Sequence, residues 1–90
     1  MNPPVEIRAP GGVVKKLLKR RTEALKTFGN NLRATRKASQ LTQEQLASAM
    51  ELSVAYVSLL ERGGRNPPLT TVLHLASVLN VPPRALIEGA

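Results

Sequence analysis

The chain contains no cysteine, no tryptophan and no aspartate, and its aromatic residues are limited to Phe28 and Tyr56. Without cysteine, neither a disulfide nor a thiolate metal site can form, which excludes the stapled scaffolds typical of small secreted proteins. With two aromatics in 90 residues, the core has to be Leu, Val and Ala, which suits helices better than a sheet sandwich. Apolar runs are a few residues long, far short of the roughly 20 needed to cross a bilayer. The opening Met1-Asn2-Pro3-Pro4 lacks the apolar stretch of a signal peptide. A chain this short fits one domain that buries about 60–65% of its unfolded surface, so its single core must be well packed. The expectation is a soluble intracellular protein.

Charge is present, but unevenly. Thirteen Lys and Arg against six Glu give a net charge of +7. Residues 1–37 hold ten of the cations and two of the acids, whereas residues 38–90 hold three and four. A positive charge gathered at one end points to a polyanionic partner, either nucleic acid or an anionic membrane surface.

Residues 1–12, with three prolines and two glycines, read as a flexible arm. From Val13 to Ala38 there is no proline, and Val14, Leu18, Leu25, Phe28, Leu32 and Thr35 recur at helical spacing. Gly29 weakens that pattern by about 1 kcal/mol, so two helical pieces meeting near 26–29 are expected. The first would be a basic extension over 13–26. Thr42-Gln43-Glu44-Gln45 is a capping box opening a helix to about Met50. Ser53 is the N-cap of another, running to about Arg62 and ended by Gly63-Gly64. Leu69–Leu79 should be a buried helix closed by Asn80, and Pro82-Pro83 opens a last one near 83–88. The reading is all-α, with five helices and a sixth at the front if the basic extension stands alone.

Two short helices joined by a tight turn must cross steeply. Such a crossing needs a small residue at the contact, and Ala47 is there. It also needs apolar inward faces, which Leu46, Met50, Leu52, Val57 and Leu60 supply. Val54, Ala55, Ser58 and Leu59 are then left facing outward, on a helix that could enter a major groove about 12 Å wide.

Phe28-Gly29-Asn30-Asn31-Leu32-Arg33, Arg36 and Leu41-Thr42-Gln43-Glu44-Gln45-Leu46-Ala47 resemble the opening of a lambda-repressor/Cro-type, XRE-like helix-turn-helix domain. Leu52-Ser53, Tyr56-Val57-Ser58-Leu59-Leu60-Glu61-Arg62-Gly63, Arg65-Asn66-Pro67 and Leu69 resemble its second half, so the likeness covers about residues 27–88. It implies a five-helix, lambda-repressor-like fold preceded by the basic helical extension. It also implies a sequence-specific, DNA-binding transcription regulator, cytoplasmic and nucleoid-associated, whose helix at about 53–61 reads double-stranded DNA as a homodimer. Gln43 then matches a phosphate-holding position, and Val54, Ala55 and Leu59 match base-facing ones. Arg62, Arg65 and Asn66 fall close to the DNA backbone, and Arg36 and Glu61 match a buried ion pair. Three positions depart from the pattern: Glu51 replaces a left-handed glycine, the base-facing residues are apolar, and the caps of the last two helices are Pro68 and Pro82.

Apolar side chains touch a thymine methyl but donate to no base, so hydrogen-bonded reading falls to Ser53, Ser58 or the flanks of the helix. Tyr56 is read as packing, with its hydroxyl reaching a phosphate. The run Lys15-Lys16-Leu17-Leu18-Lys19-Arg20-Arg21 is a solvated helix face or a phosphate-binding extension; its apolar area is too small for a membrane helix. His74, the sole histidine, is read as a packing or interface residue, since it has no Asp or Cys with which to form a triad or a metal site. Neither an enzyme nor a cofactor or metal site is expected. The rival function is a protein-interaction module of the same fold, as in an antitoxin of a toxin–antitoxin pair or a coactivator bridge. Surplus apolar residues on the Leu69–Leu79 helix, with Val81, Leu86 and Ile87, suggest a two-fold interface.

Overall fold

A computed structural model describes residues 11–90 as five helices: α1 (Gly11–Ala38), α2 (Gln43–Met50), α3 (Val54–Glu61), α4 (Leu69–Val78) and α5 (Arg84–Ile87). The all-α expectation is met among these residues. The expected arm at 1–12 lies outside them except for Gly11 and Gly12, which already open α1.

The front of the chain corrects the sequence reading. No break occurs near 26–29; α1 is one helix of 28 residues. Gly29 is there for proximity. A Cβ placed on it would sit 2.5 Å from the Glu61 carbonyl oxygen and 2.6 Å from that of Leu60. The C-terminal end of α3 therefore rests on the bare face of α1, and the modest helix-propensity cost of one glycine is offset by that packing. Residues 12–23 are exposed; the first two turns of α1 carry no buried residue, and from Arg20, Arg21 and Glu23 onward the helix borders a cleft shared with Gly89 and Ala90.

From Phe28 onward α1 is the wall of the core. Phe28, Leu32, Leu46, Val57, Leu60, Leu75 and Leu86 are buried together, with Ala47 at the α2–α3 crossing. α1 packs on α3 and α5, α2 on α3 and α4, and α4 on α5. The four-residue α5 is too short to hold itself. Asn31 on α1 fixes it by donating from Nδ2 to the carbonyls of Leu86 (3.1 Å) and Glu88 (2.9 Å).

Four helices end in the same way. A left-handed residue follows each one (Gln40, Glu51, Gly63 and Asn80, φ 55–75°). The next amide donates back across the turn: Leu41 to Arg36, Leu52 to Ala47, Gly64 to Leu59 and Val81 to Ala76. This closure satisfies carbonyls that a helix end leaves unpaired. It also swings Leu41, Leu52 and Val81 against the core. The expected left-handed Glu51 (φ 56°) is thus one of three non-glycine residues so placed among the described residues.

Smaller corrections concern the C-terminal third. Pro83, not Pro82, is the N-cap of α5. Leu86 is fully buried and unavailable to a partner, because α5 seats it in the core. His74 is exposed on α4, so it does not pack in the core. Among the described residues no helix is long and apolar enough to cross a membrane.

Candidate nucleic-acid interface

α2 begins with a reciprocal cap. The Thr42 amide donates to Gln45 Oε1 (2.8 Å) and the Gln45 amide donates to Thr42 Oγ1 (3.1 Å). That leaves the first-turn amides of Gln43 and Glu44 pointing out of the helix end, where an anion is favoured. α3 begins similarly: the Tyr56 amide donates to Ser53 Oγ (3.1 Å), which frees the Ser53 hydroxyl proton for another acceptor.

The two helices are locked to α1 by one buried charge cluster. Arg36 donates from Nε to Glu61 Oε2 (2.6 Å) and from Nη2 to Glu61 Oε1 (3.0 Å), and its Nη1 donates to the Leu41 carbonyl (2.8 Å). Gln43 adds a donation from Nε2 to Glu61 Oε1 (3.1 Å). The cluster joins α1, the α1–α2 loop, the start of α2 and the end of α3. Burial pushes the Glu61 carboxyl up, but the bonds from Arg36 and Gln43 and the charges of Arg36 and Arg33 outweigh it and hold the group below its ordinary value. The hydrogen bond to Glu61 raises Arg36 further. A bidentate pair satisfied on every side fixes the position and register of α3.

What α3 presents is a mixed surface. Val54 (39% exposed) and Ala55 are open to solvent at its N-terminal end. Arg62, Arg65 and Asn66 are exposed beyond its C-terminal end. Between α1, α2 and α3 lies a cleft of about 380 Å³ lined by Arg33, Arg36, Gln43, Ser58, Glu61 and Arg62. Among the described residues no group of acidic, histidine or cysteine side chains converges on a metal site.

A helix-turn-helix family model matches residues 32–86, which spans α2, α3 and most of the core. The chain belongs to the helix-turn-helix family. It is 41% identical over 56 residues to the HTH-type transcriptional regulator y4dJ of Sinorhizobium fredii, covering 62% of this chain and 73% of that protein. It is 36% identical over 62 residues to the control protein C.BamHI of Bacillus amyloliquefaciens, covering 68% and 76%. Three longer curated relatives are spanned over 42%, 45% and 46% of their length. Among solved structures, the restriction-modification controller protein C.AhdI of Aeromonas hydrophila superposes with a TM-score of 0.66 at 45% identity, covering 69% of this chain and 94% of that one.

Within this helix-turn-helix domain, the residues singled out from the sequence divide into three groups. Ser53, Val54, Ala55, Arg62, Arg65 and Asn66 are exposed around α3. Gln43, Tyr56, Ser58 and Leu59 are half-buried. Gln43 donates to Glu61, a contact that leaves its second amide proton unassigned. Leu59 leans on the turn that follows α3, where a Cβ on Gly64 would lie 3.2 Å from its Cδ2, so it is not fully outward. Tyr56 packs against the core, as read. The sequence reading assigned no role to Arg33, which lines the cleft and acts on Glu61. Its position one helical turn before Arg36 was the available signal.

Proposed function

We propose that this helix-turn-helix protein is a sequence-specific transcription regulator that binds double-stranded DNA with α3 in the major groove. The observation that carries the reading is the buried Arg36–Glu61–Gln43 cluster, which holds α3 rigidly while leaving Val54 and Ala55 open. In this reading the free amides at the start of α2 take one phosphate. Gln43 positions that helix end and offers its second amide proton to the same phosphate. Arg62, Arg65 and Asn66 meet the opposite backbone. Val54 and Ala55 touch thymine methyls, with Ser53 and Ser58 as hydrogen-bonding partners for bases. Leu69 (71% exposed), Leu73 (45%) and Ile87 (51%) on α4 and α5 supply an apolar surface for a homodimer. Such a dimer would set two α3 helices about 34 Å apart on a palindrome. The location in this reading is the cytoplasm, with no membrane role and no catalysis. A gel shift on fragmented genomic DNA at two salt concentrations tests it: discrete complexes that survive competitor DNA are expected. Smearing that any competitor removes, or no complex at low salt, would overturn it in favour of a protein-binding module.

A further inference from the structure

The exposed first half of α1 carries more charge than the fold needs, and the charge is not placed at random. At about 100° per residue, Lys15, Lys19, Lys26, Arg33 and Lys37 fall within about 40° of one another around the helix. All five are exposed, and none forms an ion pair within 4 Å among the described residues, although Arg33 acts on Glu61 at longer range. The nearest acid on α1, Glu23, lies at the margin of this line, between Lys19 and Lys26 in sequence. From Lys15 to Lys37 the line runs about 33 Å, close to one turn of B-DNA at about 34 Å.

Its direction relative to the rest of the domain is fixed by two contacts. A Cβ on Gly63, just past the end of α3, would lie 2.9 Å from the backbone of Lys26. Arg33 shares the cleft with Gln43, Ser58 and Arg62. The cationic line therefore runs along the α3 side of α1, beside Arg62, and continues outward onto the free turns.

We propose that this line is a phosphate-binding ridge, which tracks the DNA backbone beyond the half-site that α3 occupies. The proposal rests on the DNA-binding reading above and extends it to a surface outside the helix-turn-helix. Exposed Val13, Val14, Leu17 and Leu18 give the same turns an apolar side. Arg21 interrupts that side, whereas the ridge continues through Lys26 and Arg33 into the domain body next to α3. Continuity with the α3 surface selects the DNA backbone over a lipid surface.

The test compares the full chain with two matched double variants, checked for helicity by circular dichroism. Lys15→Gln with Lys19→Gln removes two ridge charges; Lys16→Gln with Arg20→Gln removes two charges from the same turns, about 100° away. Affinity for a mixed-sequence DNA duplex several turns long is measured across a salt series. The ridge pair should lower the log–log salt slope by about 1.8, at about 0.9 per phosphate contact, and the off-ridge pair should leave it nearly unchanged. An unchanged slope for the ridge pair, or an equal fall for both pairs, overturns the ridge while leaving DNA binding by α3 standing. No salt-dependent binding by the unaltered chain overturns the DNA-binding reading itself. Phosphatidylserine vesicles form the last arm: binding to them that the ridge pair abolishes, with the DNA slope untouched, assigns the surface to lipid and overturns the proposal.

Discussion

At the scale of single residues, two positions carry the geometry of the interface. Gly29 lets α3 close onto α1, and the oxygens that a Cβ would strike are backbone carbonyls with no freedom to step aside. Gly29→Ala should therefore destabilise the fold by about 2–4 kcal/mol, although alanine is the better helix former; chemical denaturation measures it, and a neutral or stabilising result would show that α3 sits further from α1. Glu61 is the second position. Its carboxyl is held below the ordinary value near 4.3, so the stability it contributes is complete above that value. It is lost progressively as pH falls from there through the lowered folded-state value and the carboxylate is protonated. Glu61→Gln should cost about 3–5 kcal/mol at neutral pH by leaving Arg36 buried without its counter-charge, and should flatten that part of the acid unfolding curve. An acid limb identical in the variant would assign the pH dependence to other carboxyls.

At the scale of elements, the helix ends, the α2–α3 crossing at Ala47 and the Arg36–Glu61 pair were legible in the sequence and its resemblance, whereas the seating of α1 on α3 was not. The caps at Thr42 and Ser53 and the stop at Gly63 are local chemistry, decided within three or four residues, and the structure places them where the sequence reading did. The continuity of α1 depends on Gly29 meeting Leu60 and Glu61, more than thirty residues away, and a local propensity argument had no access to that contact. The same distance hid the turning of Gln43 toward Glu61 and the lean of Leu59 onto Gly64. The turn between α2 and α3 offers a direct check. Glu51 is left-handed and exposed, a conformation that costs a residue with a Cβ about 1–2 kcal/mol. Glu51→Gly should raise stability by about 0.5–1 kcal/mol, since the looser unfolded chain cancels part of the relief. DNA affinity should be unchanged in a gel shift. A fall in melting temperature would mean that the Glu51 side chain has a stabilising contact.

At the scale of the whole molecule, the apolar residues that α4 and α5 leave uncovered set the expected assembly. Leu69 and Leu73 lie one turn apart on α4, on the flank not taken up by Val72, Leu75 and Leu79. Leu73→Glu should dissociate the proposed dimer, because burying one such side chain at an interface contributes about 1.5–3 kcal/mol. Sedimentation equilibrium reads the result, with circular dichroism confirming that helix content is kept. A dimer of undiminished strength would move the two-fold interface elsewhere. The unbroken α1 has a further mechanical meaning. A 28-residue helix with no joint is a lever whose inner part is seated against α3 through Gly29 and whose outer turns are exposed among the described residues. Torque applied at Lys15 or Lys19 would reach α3 through one unjointed helix, so in the proposed complex anything gripping the outer arm would set the angle at which α3 meets its groove.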